Sequence, residues 1–227
     1  MTLSLAGRTA SPLAQPVPIR TGGFGGIAGL ARYLRDEAVH ALIDATHPYA
    51  ATISAHALSA ARQTQTPMIA LRRPPWSAVA GDRWTEVIDA EDAVRSLGAA
   101  PRRVFLALGR QEITSFAAAP QHHYLVRSVD PVQPPLAVPH ARYIEERGPF
   151  RETEERMLLG ENAIEALVSK NSGGTATYGK IAAARSLGIP VLLIRRPAEP
   201  GGHAVGDVAA AMAWLHHVLG TGVDRGV

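Results

Sequence analysis

Short aliphatic or β-branched runs alternate with alanine-rich segments of helical period along this chain of 227 residues. Short apolar runs suit strands that are buried on both faces, whereas apolar residues spaced three and four apart suit one face of a helix. Their alternation is typical of βα units, in which parallel strands are joined by crossover helices. The pattern therefore predicts an α/β protein with mainly parallel sheets.

The same pattern locates the individual elements. The predicted strands are residues 2–5, 17–20, 41–44, 68–71, 103–108, 124–128, 141–145, 166–168 and 191–194. The predicted helices are residues 27–38, 51–63, 90–97, 151–160, 177–187 and 208–219. The turn region around residues 76–100 separates two halves that each have the pattern of a small doubly wound sheet. We therefore expect one domain over residues 1–98 and a second over residues 99–227.

Composition excludes several classes of function. The chain has no cysteine, which excludes disulfides, thiolate zinc sites and cysteine nucleophiles. Its net charge of +3 is spread over dispersed basic residues, so we expect no nucleic-acid partner. No apolar run reaches the roughly 18 residues that cross a bilayer, and the N-terminus does not read as a signal peptide. We therefore expect a cytoplasmic protein with no membrane partner.

Polar and basic residues follow four of the predicted strands. The strand endings are ATHPYA after residue 44, GRQE after residue 108, RSVDP after residue 126 and SKNSGG after residue 168. In doubly wound sheets, ligands bind outside the carboxyl ends of the strands. We therefore expect these four endings to face ligands.

The two lysines of the chain, Lys170 and Lys180, lie within eleven residues of each other, although the chain has 21 arginines. Lys170 belongs to the SKNSGG loop, and Lys180 belongs to the helix predicted after it. Glycines let the backbone approach a ligand, amides at a helix start favour an anion, and lysine adds a mobile charge. The segment predicts an anion site, although Ile181 stands where a P-loop requires Ser or Thr. A glycine-rich turn with two solvated lysines is the alternative.

Other chemical motifs are absent from the sequence. It contains no HExxH or GxSxG motif, and no spacing of histidines and carboxylates suits a metal. We expect the adjacent histidines at 122–123 and 216–217 to be exposed. We also expect the glutamates between residues 145 and 155 to form a solvated helix face.

Several segments are similar to the precorrin-6A reductase family. They are LAGRT (5–9), GGFGG (22–26), DATHPYA (44–50), RPPW (73–76), EERGPF (145–150), SKNSGG (169–174) and TYGKIAAA (177–184). Their order and spacing match the family over nearly all of residues 1–200. The resemblance implies a cobalamin-pathway enzyme that reduces one double bond of a polycarboxylate tetrapyrrole with NAD(P)H. It also implies two Rossmann-like domains, one for the coenzyme and one for the substrate, with the active site in a cleft between them.

The resemblance implies a set of coenzyme-binding residues in the first half: Ser4, Gly7, Arg8, Gly22, Gly23, Phe24, Thr46 and His47. A basic residue in the position of Arg8 favours the 2′-phosphate of NADPH over NADH, and a solvated loop arginine is the alternative. His47 is the candidate proton donor, with a structural hydrogen-bonding role as its alternative. A plain tight turn is the alternative for residues 22–24.

The implied substrate-binding residues lie mostly in the second half: Tyr49, Arg110, Arg127, Lys170, Asn171, Ser172, Gly173, Gly174 and Lys180. A substrate with many carboxylates needs several fixed cations, with arginine as a bidentate clamp and lysine in less regular geometry. Arg72 and Arg73 are weaker candidates for the same surface, and a linker salt bridge is their alternative.

The N-terminus departs from the family pattern. Family members open with a strand and a GGTxEA turn that receives the coenzyme pyrophosphate, whereas this chain starts at what would be their second strand. We expect the first βα unit to be absent because the sequence is a late-started reading of a longer gene. A domain that pairs its strands differently is the alternative. Loss of a central strand should leave its neighbours without hydrogen-bond partners.

Two functional hypotheses follow from these observations. The first is an NADPH-dependent precorrin-6A reductase, whose partners are its tetrapyrrole substrate and the next pathway enzyme, to which it hands over its product. The second is a tetrapyrrole-binding protein without reductase activity, which keeps the second domain but holds the coenzyme poorly.

Overall fold

The computed structural model describes residues 1–7 and 12–220 and divides into two compact units. Unit 1 comprises Met1–Pro74 together with Pro197–Val227, and unit 2 comprises Pro75–Arg196. The chain therefore enters unit 2 once and then returns to unit 1.

Strands and helices alternate through both units. The strands are β1 (Leu3–Leu5), β2 (Ile19–Thr21), β3 (Leu42–Asp44), β4 (Met68–Leu71), β5 (Trp84–Val87), β6 (Arg103–Ala107), β7 (His123–Ser128), β8 (Ala141–Glu145), β9 (Ala166–Lys170), β10 (Val191–Ile194) and β11 (Ala204–Val205). The α-helices are α1 (Gly26–Asp36), α2 (Ala51–Thr64), α3 (Ala90–Leu97), α4 (Arg110–Ile113), α5 (Glu152–Glu161), α6 (Gly179–Ser186) and α7 (Val208–Gly220). A 3-10 helix (Thr114–Ala118) continues directly from α4.

All strand pairings within the described residues are parallel. Unit 2 contains one sheet of six strands in the order β5-β10-β9-β6-β7-β8. Unit 1 contains a sheet of β1 and β2 and a second sheet in the order β11-β4-β3. The predicted class, an α/β protein with mainly parallel sheets, is confirmed.

The core of unit 2 forms where apolar strands meet two helices. Phe105 of β6, Leu167 of β9 and Leu193 of β10 are each at most 1% exposed. They belong to one cluster with Leu159 of α5 and Ile181 of α6, which are both fully buried. Burying one such side chain contributes roughly 1.5–3 kcal/mol, so this cluster fixes the central strands and the loops that follow them.

The core of unit 1 lies between α1 and α2. Leu30 and Leu34, four residues apart on α1, are buried against Ala57 and Ala60, three residues apart on α2. Residues at these spacings share one helix face, and the small alanines let the two helices approach closely. This packing orients the start of α1 and the loop that precedes α2.

The sequence pattern located most of these elements. All nine predicted strands and all six predicted helices are present, with ends that agree to within two residues. The pattern missed α4, the two-residue β11 and β5, whose sequence WTEV buries only one residue fully. The unit boundary also differs from the predicted boundary at residue 98. Residues 75–98 belong to unit 2 because β5 pairs with β10, and residues 197–220 belong to unit 1 because β11 pairs with β4.

Two residues expected on the surface are buried instead. Glu155 is only 2% exposed because Arg127 pairs with it. His122 is fully buried, and its Nδ1 accepts a hydrogen bond from the Arg102 N–H at 3.2 Å. Burial, together with the nearby charge of Arg102, lowers the pKa of His122, so the imidazole is a neutral structural group.

None of the helices within residues 1–7 and 12–220 has the length and apolar content that crossing a membrane requires. In the same part of the chain, no group of three or more histidine and carboxylate side chains is placed to hold a metal ion.

Candidate functional site

The glycine-rich loop 22–26 connects β2 to α1 in unit 1. Gly22, Gly25 and Gly26 have φ angles of 111°, 78° and 82°, which residues with side chains rarely adopt. A Cβ atom added at any of these glycines would meet no atom within 4 Å. Gly25 precedes α1 without a side-chain cap. The loop therefore presents exposed backbone and uncapped helix amides, an arrangement that suits an anionic group.

Arg20 braces this loop from the end of β2. Its Nη1 donates to the Gly22 carbonyl at 2.6 Å, and its Nη2 donates to the Gly23 carbonyl at 2.8 Å. Its guanidinium carbon lies 3.8 Å from the ring centroid of Phe24, which is 5.0 Å from the centroid of Tyr33. Residues 22–24, all candidates from the sequence, therefore all contact Arg20, which was not among the candidates.

Ser4 and Gly7 lie beside the same loop because β1 pairs with β2. Ser4 is opposite Arg20 in the register of the two strands. Gly7 has a φ angle of 73°, and a Cβ atom added there would lie 3.3 Å from the side chain of Thr21. Arg8, the candidate for the 2′-phosphate contact, lies outside the described residues.

A buried polar network fixes the loop after β3. The carboxylate of Asp44 accepts hydrogen bonds from the Thr46 hydroxyl at 2.7 Å and from the Thr46 N–H at 3.1 Å. Arg72 bonds to the same carboxylate and donates to the Asp44 carbonyl at 2.9 Å and to the Ser54 hydroxyl at 2.7 Å. Burial alone would raise the pKa of Asp44, but its hydrogen bonds, foremost that from Arg72, lower it. Arg72 therefore forms the internal salt bridge that was the alternative to a substrate contact.

His47 and Tyr49 follow this network at the end of β3. His47 is exposed, and its Nδ1 accepts a hydrogen bond from the Tyr49 N–H at 3.3 Å. The two rings are 5.5 Å apart between centroids. With Nδ1 as an acceptor, the neutral imidazole carries its proton on Nε2. In this tautomer Nε2 donates a hydrogen bond, and transfer of a proton from the ring requires the imidazolium, in which both nitrogens are protonated.

Lys170 lies at the carboxyl end of β9, beside the loop that follows β6. The two strands are neighbours, with Ala107 opposite Ser169. The Lys170 ammonium forms an ion pair with Glu112 of α4, and the two side chains are 15% and 30% exposed. The strand order thus places this lysine at the expected edge of the sheet, with a carboxylate partner already beside it.

Trp76 fastens the SKNSGG loop. The Asn171 side chain accepts from the Trp76 N–H at 2.8 Å and donates to the Trp76 carbonyl at 3.0 Å. The indole N–H of Trp76 donates to the Gly174 carbonyl at 2.7 Å, and the hydroxyls of Ser172 and Thr177 are 3.2 Å apart. The amide of Asn171 therefore supports the loop, which differs from its expected role as a substrate ligand.

Arg127 also turns inward. Its two terminal nitrogens donate to the two carboxylate oxygens of Glu155 at 2.5 and 2.7 Å, and its guanidinium carbon lies 3.8 Å from the ring centroid of Phe150. The side chain is 5% exposed. This is the bidentate geometry expected for a substrate carboxylate, but its partner is a residue of the protein.

Lys180 is buried next to this pair. Its Nζ donates to the Thr177 carbonyl at 2.7 Å and lies 5.0 Å from the ring centroid of Trp76. Burial, foremost, and the charge of Arg127 together lower the pKa of Lys180 to about 7, although the charge of Glu155 opposes this in part. The amine therefore changes its charge near neutral pH, and its position differs from the exposed cation that the sequence suggested.

Three contacts at these sites were not anticipated: those of Arg20, Trp76 and Glu112. Trp76 and Glu112 belong to the RPPW and GRQE segments quoted above. Two signals could therefore have indicated these contacts: an aromatic residue after a double proline, and a carboxylate close to a basic residue at a strand end. Arg110, the basic residue of GRQE, is exposed at the start of α4 on the same edge as Lys170.

The parallel sheets, with polar loops at the carboxyl ends of their strands, define an α/β protein of the kind that binds ligands at such edges. Comparison with known proteins identifies the family. The chain belongs to the precorrin-6x reductase CbiJ/CobK family, whose model matches residues 1–216. The family resemblance seen in the sequence motifs is thereby confirmed.

Individual relatives agree with this assignment. A precorrin-6A reductase of Rhodobacter capsulatus is 52% identical over 212 residues, which cover 93% of this chain and 84% of the relative. A precorrin-6A reductase of Sinorhizobium sp. is 52% identical over 217 residues, which cover 96% of this chain and 83% of the relative. The solved structure of CobK precorrin-6A reductase is 51% identical, with a TM-score of 0.92 over 96% of this chain and 86% of that chain.

Proposed function

We propose that this chain reduces one double bond of precorrin-6A with NADPH as the hydride donor. Membership of the reductase family over residues 1–216 is the observation that carries the proposal. Two local features support it: the open glycine-rich turn before α1 in unit 1, and the cation at the end of β9 in unit 2.

Unit 1 fits the coenzyme. The uncapped start of α1 and the open backbone of residues 22–26 accept a phosphate, and the stacked pair of Arg20 and Phe24 flanks it. Arg8 recognises the 2′-phosphate, so Arg8→Ala weakens NADPH more than NADH. When bound, the coenzyme supplies a hydride from its nicotinamide ring.

The protein supplies a proton. Saturation of one double bond places a hydride on one atom and a proton on its neighbour, so each turnover consumes one NADPH and one proton and yields one NADP⁺. His47 donates this proton from Nε2 in its imidazolium form, which it reaches by taking a proton from solvent on Nδ1 and so releasing the contact with the Tyr49 N–H. The buried network around Asp44 and Arg72 keeps the His47 loop in place.

Unit 2 fits the acidic macrocycle, and Lys170 is the proposed contact. The Lys170 ammonium is paired with the carboxylate of Glu112. A substrate carboxylate that binds Lys170 replaces Glu112, which is partly exposed and able to turn away. Glu112 therefore competes with the substrate for the same cation.

Reductase activity is tested directly with the full chain, precorrin-6A and NADPH deuterated at nicotinamide C4. We expect NADPH oxidation and the appearance of one deuterium in the macrocycle by mass spectrometry. Binding of the tetrapyrrole without oxidation of NADPH would instead support the binding protein without reductase activity.

Two variants with opposite expected effects test the substrate contact. Lys170→Ala should weaken tetrapyrrole binding by about ten- to a hundredfold, because a charge-assisted hydrogen bond is lost. Glu112→Gln should strengthen binding, because the competing charge is removed. Arg156→Ala, which removes an exposed cation of α5, is the matched control and should leave affinity unchanged. Weaker binding in Glu112→Gln would show that Glu112 positions Lys170 and does not compete with the substrate.

A further inference from the structure

A cavity lies in unit 2 at the amino ends of the strands, opposite the edge that carries Lys170. Its volume is about 290 Å³. Arg103 and His123 begin the neighbouring strands β6 and β7 and are opposite each other in register, and His140 directly precedes β8. At about 3.3 Å per residue, the length of β6 separates the two edges by roughly 16 Å. The cavity is therefore distinct from the site proposed for the substrate.

The lining of this cavity is basic. Its lining includes Arg103, His123, His140, Arg142 and Asn162, as well as Tyr124, whose hydroxyl donates to the Ala119 carbonyl, and among the described residues no aspartate or glutamate lines it. The Arg142 guanidinium donates to the neutral Asn162 side chain at 3.1 Å. The nearby carboxylate of Glu165 accepts from the backbone N–H of Arg103 at 2.8 Å and not from its guanidinium.

The two histidines form one wall of the cavity. The rings of His123 and His140 are stacked, with centroids 4.2 Å apart and planes inclined by 3°. The stack holds the two imidazole rings side by side, and both histidines line the same cavity as the two arginines. A rigid group of donors next to planar arginine forks is the arrangement that binds oxyanions best.

We propose that this cavity binds a small multivalent oxyanion, which carries phosphate or several carboxylate groups, at a site separate from coenzyme and substrate. The volume lies at the lower limit of small-molecule pockets, roughly 300 Å³, which suits an anion of the size of pyrophosphate or citrate. Arg103 and Arg142 are the charge-bearing ligands, and the stacked histidines add ring N–H donors.

Calorimetric titration of the full chain with inorganic pyrophosphate, and separately with citrate, tests the proposal. Saturating NADPH is present in both titrations so that the coenzyme site is filled. We expect one binding event per chain, weakened about ten- to a hundredfold by Arg103→Gln and by Arg142→Gln. A preference for one probe identifies phosphate or carboxylate as the natural group.

Three further variants make the result decisive. Arg156→Gln, an exposed change on α5 outside the cavity lining, should leave anion affinity unchanged, and so should Lys170→Ala. His140→Gln breaks the ring stack and should also weaken binding, with the melting temperature recorded to confirm that each variant is folded. Absence of binding at millimolar probe, or binding that survives both arginine variants, would overturn the proposal.

Discussion

Replacement of Lys180 by methionine should stabilise the protein near neutral pH, although it removes a hydrogen bond. The ammonium is 4% exposed and has one acceptor, the Thr177 carbonyl at 2.7 Å. Burial lowers its pKa from 10.5 to about 7, which means that the folded state disfavours the charged form. Methionine has a similar length and carries no charge to desolvate.

The size of the effect follows from proton linkage. In the unfolded chain, Lys180 stays protonated up to about pH 10.4. In the folded chain it loses its proton above about pH 7. The charged amine therefore destabilises the fold in full below pH 7, by roughly 4–5 kcal/mol, and the penalty shrinks as the pH rises towards 10.5. Loss of the Thr177 hydrogen bond offsets about 1 kcal/mol of the gain in the variant.

Two measurements follow from this linkage. Urea unfolding should show Lys180→Met more stable than the wild type by about 2–4 kcal/mol at pH 7, with a difference that shrinks by pH 9.5. Since the chain has only two lysines, selective carbon-13 labelling of lysine gives two signals. The signal that disappears in Lys180→Met should titrate near pH 7 in the wild type.

The control is Arg156→Met, which removes an exposed cation from α5. Its stability difference from the wild type should not change with pH in the same way. A Lys180 signal that titrates above pH 9, or a Lys180→Met difference that is constant from pH 7 to 9.5, would refute the burial argument.

Three other changes have defined outcomes. Glu155→Gln should destabilise the fold by about 3–5 kcal/mol in urea unfolding, because it removes the buried carboxylate that binds both terminal nitrogens of Arg127 and leaves only the exposed Glu146, at 3.4 Å, as its counter-charge. Gly29→Ala should lower the melting temperature and, if the proposed coenzyme site is correct, NADPH affinity as well, because the new Cβ atom would lie 1.6 Å from the Phe24 carbonyl oxygen and must displace the glycine-rich loop 22–26. Arg72→Met should shift the acid unfolding of unit 1 to higher pH, because the lowered pKa of the aspartate that ends β3 depends first on this arginine; unchanged acid unfolding would contradict that dependence.

Local periodicity predicted most of the fold because each predicted element carries its own pattern. Strands such as Val191–Ile194 are continuous apolar runs, and the structure buries all four of their residues. β5 was missed because an edge strand needs little burial, and Trp84–Val87 has only one fully buried residue. Local sequence does not determine which sheet a strand joins. The pairing of β11 with β4, by which the chain returns to unit 1, could therefore not be predicted from the sequence.

The candidate site was predictable in position and less so in detail. The strand-end rule brought the loops after β6 and β9 to one edge, because that rule depends only on parallel topology. The charge partners were not predictable, because they lie far apart in sequence. Arg72 and its aspartate are 28 residues apart, and so are Arg127 and Glu155. A basic residue at a strand end therefore indicates a cation near the edge, and only the tertiary structure shows whether its charge is already neutralised.

The two lysines illustrate this distinction. Lys170 lies at the sheet edge with a partly exposed partner, where a mobile ammonium can exchange one carboxylate for another. Lys180 lies in the interior beside Arg127, where a second permanent cation would be strongly unfavourable. Arginine remains charged at any physiological pH, whereas a buried lysine can release its proton and stay in place as a neutral amine. The same residue type thus meets two different environments in one segment, a partly exposed ion pair at position 170 and a buried amine of lowered pKa at position 180.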